Sequence, residues 1–225
     1  MGLTEKNIGG KFQADGSFRP FPGNTIISML NHEKEAFQHF LAIRALYEAS
    51  PAAPCLTLLP LNSIHMTVIE GVCDQVRKPE LWTNKLPLDC PLSQVDDLFE
   101  ERFKTVKPLG EVHMKMTHMV PDIAILMRME PATAQDAAEL KRYRNDMSEA
   151  LGVRFPNHDD YRFHMTLGYF TKEPSAEQTA ALEKFYQDAD AYIAGHNIEM
   201  RVEQPLLTFF DDMSCFIPHR IPREA

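Results

Sequence analysis

Two stretches decide the reading: SIHMTVIEG at 63–71 and YRFHMTLGYF at 161–170. Each carries the tripeptide His-Met-Thr, the second copy 99 residues after the first. Each tripeptide is bracketed by large apolar residues, Ile64 and Val68 in one copy, Phe163 and Leu167 in the other. Runs rich in β-branched and aromatic residues read as strands. Residues i and i+2 of a strand project to one face. His65 therefore shares a face with Thr67, and His164 shares one with Thr166. Ile64, Met66 and Val68 point the other way, as do Phe163, Met165 and Leu167. The apolar face packs on a core. The face of imidazole and hydroxyl needs water or a ligand, because an unpaired buried polar group costs free energy.

Outward from these strands the same element order occurs twice. TIISML (25–30) reads as a buried strand, and Asn31 offers an N-cap to a helix carrying Ala36, Phe40, Ile43 and Tyr47, which Pro51 stops. In the second copy IAILMRM (123–129) reads as the strand. Pro131 suits the first position of a helix that carries Ala137, Leu140, Met147 and Leu151 and stops at Gly152. A shift of 99 lays residues 26–30 on 125–129 and each histidine strand on the other. With nine His and twelve Thr in the chain, composition alone supplies about half an occurrence of His-x-Thr. Two placed equivalently, with the same middle residue, are a pattern.

The fold class expected is α+β, a bilobal pseudo-two-fold duplication. Each lobe is an antiparallel sheet with helices on its outer face, and a cleft lies between the lobes. Residues 1–23 form an irregular arm and 24–225 a single bilobal domain. The repeat halves span about 24–72 and 122–171, linked by 73–121 and closed by 172–225. The link reads as a loop over 73–90, a helix from about 92 to 107 and the strand EVHMKMTHM. The close reads as a helix over about 175–194 and two strands, NIEMRVE and PLLTFFD. The arm, with three phenylalanines among its glycines and prolines, reads either as a surface cover for the core or as a lid over a site.

The chain of 225 residues is 44% hydrophobic and 24% charged, with a formal net charge of −9. That balance argues against a broad basic face for long nucleic acid but leaves room for a small phosphate-bearing ligand. Cys55, Cys73, Cys90 and Cys215 make no C-x-x-C pair and no zinc spacing, the pattern of reduced thiols in a cytoplasmic protein. No apolar run reaches the ~20 residues of a membrane helix, and the N-terminus lacks a signal-peptide core.

Packed about a pseudo-two-fold axis, the two strands would aim two imidazoles and two hydroxyls at one cleft. One neutral histidine can take a proton from an attacking hydroxyl or water while the other, protonated, gives one to the departing oxygen. Thr67 and Thr166 can donate to the phosphate oxygens on which charge accumulates. The catalytic pair is thus His65 and His164. Arg162, two residues before His164, shares its face and is a phosphate ligand or an ion-pairing residue. Tyr161 and Tyr169 alternate to the packing face, with Tyr161 within reach of the cleft rim as a further phosphate contact. No metal and no cofactor enter this scheme. His113 and His118, five apart on a strand, face opposite sides. HDD at 158–160 is the alternative metal candidate, and Met114 to Met129 is core filler. Walker and G-x-G-x-x-G loops are absent.

The paired HMTV (65–68) and HMTL (164–167) strands resemble those of the two-histidine (2H) phosphoesterase superfamily, which includes bacterial RNA ligase-like proteins and cyclic phosphodiesterases. The arm GGKFQADGSFRPFPGNT resembles that of a bacterial branch of unassigned substrate. The resemblance implies a bilobal α+β fold and metal-independent chemistry on phosphodiesters, often 2′,3′-cyclic ones. The expected activity is therefore hydrolysis, or transfer, at a cyclic or linear phosphodiester of a small nucleotide or RNA terminus, by a monomer. The alternatives are a binding module using the same cleft without turnover, and a metal-dependent hydrolase centred on His158.

Overall fold

The computed structural model describes residues 2–218; residues 219–225 of the expected closing segment lie outside the described residues. Among the described residues eight strands are formed: β1 (Gly23–Met29), β2 (Leu56–Leu58), β3 (His65–Cys73), β4 (His113–Pro121), β5 (Ala124–Pro131), β6 (His164–Phe170), β7 (Glu199–Arg201) and β8 (Leu206–Phe210). Four α-helices join them: α1 (Glu35–Glu48), α2 (Leu92–Phe103), α3 (Ala134–Leu151) and α4 (Ala176–His196). The class is α+β, as expected.

A separate sheet in each lobe was expected; instead one curled antiparallel sheet runs in the order β7-β4-β5-β6-β3-β1-β8, with β2 paired to β6 off that path. The two histidine strands join it into one. They meet only where Met66 faces Met165. Beyond that crossing β2 takes the edge of β6, pairing Leu56 with Phe170 and Leu58 with Gly168. β3 and β6 therefore splay from a single point, which opens a cleft along their seam. The strand order is mirrored about this seam, β6-β5-β4 on one side and β3-β1-β8 on the other.

Alternation holds from each histidine to the residue after its threonine. Met66, Val68, Met165 and Leu167 are buried, while His65, Thr67, His164 and Thr166 keep partial exposure. Beneath the apolar face, α3 packs on β3 and β5, α4 on β4, α1 on α4, and α2 on α3 and β8. Phe40, Ile43 and Tyr47 of α1 are fully buried, the stripe that their spacing predicts.

Two helix starts differ from the sequence reading. Asn31 does not cap α1; its side chain accepts from the Glu33 amide and donates to Glu203, and the helix starts after Lys34. Pro131 does not open α3; it ends β5 opposite Met114, and Thr133 caps the helix by accepting from the Asp136 amide. The stop at Gly152 is as read, with φ at 69° in the left-handed region that favours glycine. Ser175 and Gln178 form a capping box on α4. No helix among the described residues is long and apolar enough to cross a membrane.

One local feature recurs in both halves. In the β1–β3 ladder Ile27 faces Thr67 and Ile26 faces Ile69, so Val68 is an extra residue. In the β5–β6 ladder Leu126 faces Thr166 and Ile125 faces Gly168, so Leu167 is the extra residue. Each is a β-bulge directly after His-x-Thr. A bulge removes one carbonyl from the ladder and re-aims the residues beyond it. The Val68 carbonyl accepts from the buried guanidinium of Arg144 on α3. The Leu167 carbonyl accepts from the Leu59 amide at 3.0 Å. Gly168 follows from that contact: a Cβ there would stand 2.5 Å from the Thr57 carbonyl oxygen.

Candidate active site

Both imidazoles are held in the same way. His65 Nδ1 lies 2.6 Å from the Ser63 carbonyl oxygen, and His164 Nδ1 lies 2.9 Å from the Arg162 carbonyl oxygen. A carbonyl only accepts, so Nδ1 carries the hydrogen in each ring and Nε2 is left with a lone pair when the ring is neutral. The partner is the residue two positions upstream in both cases, in the segment that leads into the strand. The shared tautomer is thus set by the backbone just before each strand.

The four expected residues come together. His65, Thr67, His164 and Thr166 line one cavity of about 260 Å³ at the seam. Residues beyond both bulges join them. Glu70 and Tyr169, each three positions past its threonine, line the same cavity. The bulge is why Tyr169 faces the cleft and not the packing face that unbroken alternation assigns to it. Tyr161 also lines the cavity, its ring 6.3 Å from that of His164. Arg162 is placed differently from expectation: its exposed side chain lines the adjoining pocket, and its backbone carbonyl orients His164.

The arm supplies a cation that sequence reasoning missed. Phe12 is fully buried, 5.5 Å from the Phe18 ring and 5.4 Å from Tyr169. Asn7 donates to the carbonyls of Ile123 at 2.6 Å and Phe170 at 2.9 Å, pinning the arm across the end of β6. Lys11, next to Phe12, is thereby carried into the cavity, with Nζ 3.2 Å from the Tyr169 hydroxyl and 4.6 Å from its ring centroid. The arm is both core cover and site wall. Its signal in the sequence was a single basic residue beside an anchoring phenylalanine. From the other end of the chain, Phe216 sets its ring 4.4 Å from His65 in an edge-on contact.

Enclosure sets the charge states. Burial pushes His65 down to about 4, with the neighbouring His164 and Lys11 adding to the fall against the Ser63 carbonyl. Burial also lowers His164, aided by Arg128 and Lys11 and opposed by the Arg162 carbonyl. Burial pulls Lys11 down, but Tyr169 outweighs it and leaves the ammonium above its ordinary value. Burial raises Glu70, against its contact with Asn157 and the charge of Arg144. Burial pushes the Cys73 thiol up to about 11, which leaves this cavity residue un-ionised near neutrality.

The metal alternatives are accounted for separately. His158 is buried with Nε2 3.1 Å from Asn145 Oδ1, and Asp159 pairs with Arg154. A further bulge in β4, between Met116 and Met119, breaks the alternation that set His113 and His118 on opposite faces. Among the described residues, no group of three or more His, Cys, Asp or Glu is placed to hold a metal ion.

Comparison with known proteins bears on the fold and the family. The crystal structure of the conserved protein of unknown function ATU0111 from Agrobacterium tumefaciens str. C58 superposes with a TM-score of 0.86 at 29% identity, covering 95% of this chain and 90% of that one. No curated protein matches the chain. A family model described as 2H-phosphodiest, domain of unknown function (DUF1868), matches residues 11–125, a span that includes Lys11, His65 and Thr67. The chain therefore belongs to the 2H-phosphodiest family.

Proposed function

We propose that this chain is a metal-independent phosphodiesterase that opens a cyclic, 2′,3′-type, or linear phosphodiester of a nucleotide or RNA end. The observation that carries the reading is the matched orientation of two imidazoles, each with Nδ1–H tied to the backbone carbonyl two residues upstream and Nε2 free, on one small cavity. Two such nitrogens flanking phosphorus divide the proton work. Water attacks phosphorus and loses its proton to one Nε2; the bond to the leaving oxygen breaks, and that oxygen takes a proton from the other Nε2–H. Thr67, Thr166 and Lys11 offer donors for the non-bridging oxygens. Glu70 supplies an acceptor suited to a sugar hydroxyl.

The roles are unequal. His65, the ring against Phe216, is pushed to about 4 and suits the base. His164, also lowered, suits the acid. Entry of a phosphodiester anion raises both rings, because an opposite charge favours the protonated form. Substrate thus brings the conditions under which one ring holds its proton. The site is complete within one chain, which fits a monomer. Four free cysteines fit a cytoplasmic protein.

The second reading is a binding module, favoured by the burial that keeps His65 neutral. Incubation of purified protein with 2′,3′-cyclic mononucleotides in EDTA separates the two. The phosphodiesterase reading expects a 2′- or 3′-monophosphate product, abolished by His65→Ala and by His164→Ala. Tight binding with no product on long incubation supports the module instead, and turnover surviving both substitutions removes the histidine mechanism.

A further inference from the structure

We infer that the pocket beside the histidine cavity is a second anion subsite, and that the substrate carries a further phosphate next to its scissile phosphodiester. The inference rests on the reading of the histidine cavity as a phosphodiester site. The pocket has a volume of about 380 Å³ and shares Tyr161 as a wall with the histidine cavity. Arg128 stands directly opposite His164 across the β5–β6 ladder, and Arg162 lies two residues before His164. Both line the pocket, with Lys141 and the buried Arg144.

Arg144 is committed to the Val68 and His158 carbonyls, which leaves Arg128, Arg162 and Lys141 as the cations of the pocket for a ligand. Arg44, Arg77, Arg142 and Arg154 each pair with a carboxylate. Arg128 and Arg162 make no such pair among the described residues. Burial and then Arg162 lower Arg128, opposed by Glu130 and Tyr161. The pocket carries two carboxylates, Glu130 and Asp159, and Asp159 is already engaged by Arg154. His158, lining it too, is pushed to about 4 by burial and then by Arg144 and Arg154. A chain of net charge −9 thus keeps a concentrated positive pocket at the door of its histidines. Planar guanidiniums match tetrahedral oxyanions through paired hydrogen bonds, which makes phosphate the fitting occupant. A plain cyclic mononucleotide fills only the histidine side. A nucleotide with an added phosphate fills both.

Equilibrium binding in EDTA tests this without turnover. Adenosine 3′,5′-bisphosphate and adenosine 3′-monophosphate are titrated into wild-type protein, Arg162→Gln and the Arg128→Gln/Arg162→Gln double variant, with thermal unfolding confirming that each variant folds. Wild-type protein is expected to prefer the bisphosphate at least tenfold, Arg162→Gln less, and the double variant not at all. Equal or undetectable binding of the two ligands by wild-type protein overturns the subsite, as does a preference that survives both substitutions. A preference that disappears with the arginines, in a protein that forms no product from any cyclic nucleotide, upholds the subsite while removing the phosphodiesterase reading.

Discussion

Arg144→Met is the most informative perturbation of the scaffold, because one side chain of α3 secures the bulge that shapes half of the site. Its guanidinium donates to the Val68 carbonyl and, at 3.1 Å, to that of His158, and it lies 4.3 Å from the Tyr161 ring centroid. Methionine keeps the bulk and removes all three interactions. Two buried carbonyls lose their donors, at about 1–3 kcal/mol each. The desolvated cation–π contact adds about 1–2 kcal/mol. Against this, a buried guanidinium that burial already disfavours no longer has to be desolvated, which returns several kcal/mol. The balance is a loss of about 2–4 kcal/mol, or about 5–15 °C in Tm for a chain of this size. Urea and thermal unfolding measure it. Turnover should fall as well, since Glu70 and Thr67 flank the bulge. Arg144→Lys, with a single donor head, should fall between. A loss below about 1 kcal/mol with unchanged turnover would refute the claim that the Val68 carbonyl depends on this donor.

Other outcomes follow from the charge states. Lys11→Met should weaken binding of adenosine 3′-monophosphate by about 10–100-fold, the worth of one charge-assisted contact, and raise the His65 and His164 pKa values by NMR; unchanged affinity removes Lys11 from the site. His65 and His158 are both held near 4 in the folded state, below the unfolded value of about 6.5. The unfolded chain then binds more protons between pH 6.5 and 4, so stability falls as pH drops through that window, by at most about 3 kcal/mol for each ring. His65→Gln should flatten the urea-derived slope there, and an unaltered slope speaks against the buried neutral ring. For catalysis, the free enzyme needs His65 neutral and His164 protonated. The kcat/KM profile should peak on the acid side of pH 6.5 and decline above it, while the alkaline limb of kcat moves upward with substrate bound. A kcat/KM optimum well above pH 7 contradicts these assignments.

The site's chemistry was legible where it depends on local alternation. His65 with Thr67, and His164 with Thr166, needed only the period of a strand. Gly152 and the apolar stripe of α1 were equally local. What was hidden depends on partners distant in sequence. The bulges at Val68 and Leu167 are properties of register, visible only when β1 and β5 are laid alongside, so Tyr169 was assigned to the wrong face and Glu70 was not singled out. Lys11 reaches the cavity because Phe12 and Asn7 anchor an arm far from either histidine in the chain. Phe216 arrives from the opposite end. Asn31 failed as a cap because Glu203 and the Glu33 amide claim its side chain, a competition that the local sequence does not display. The sequence also suggested two sheets where there is one, since the Met66–Met165 crossing is a tertiary contact between copies that the repeat pattern treats as separate.

The central claim is that both Nε2 atoms face one phosphorus. A crystal structure of the protein with a nucleoside 3′-monophosphate bound, or with vanadate in its place, tests it most directly. The account predicts oxygens of that group within hydrogen-bond reach of Nε2 of both His65 and His164, with the Thr67 and Thr166 hydroxyls on the remaining oxygens. An oxyanion held by one ring alone, or seated away from the seam between β3 and β6, contradicts it.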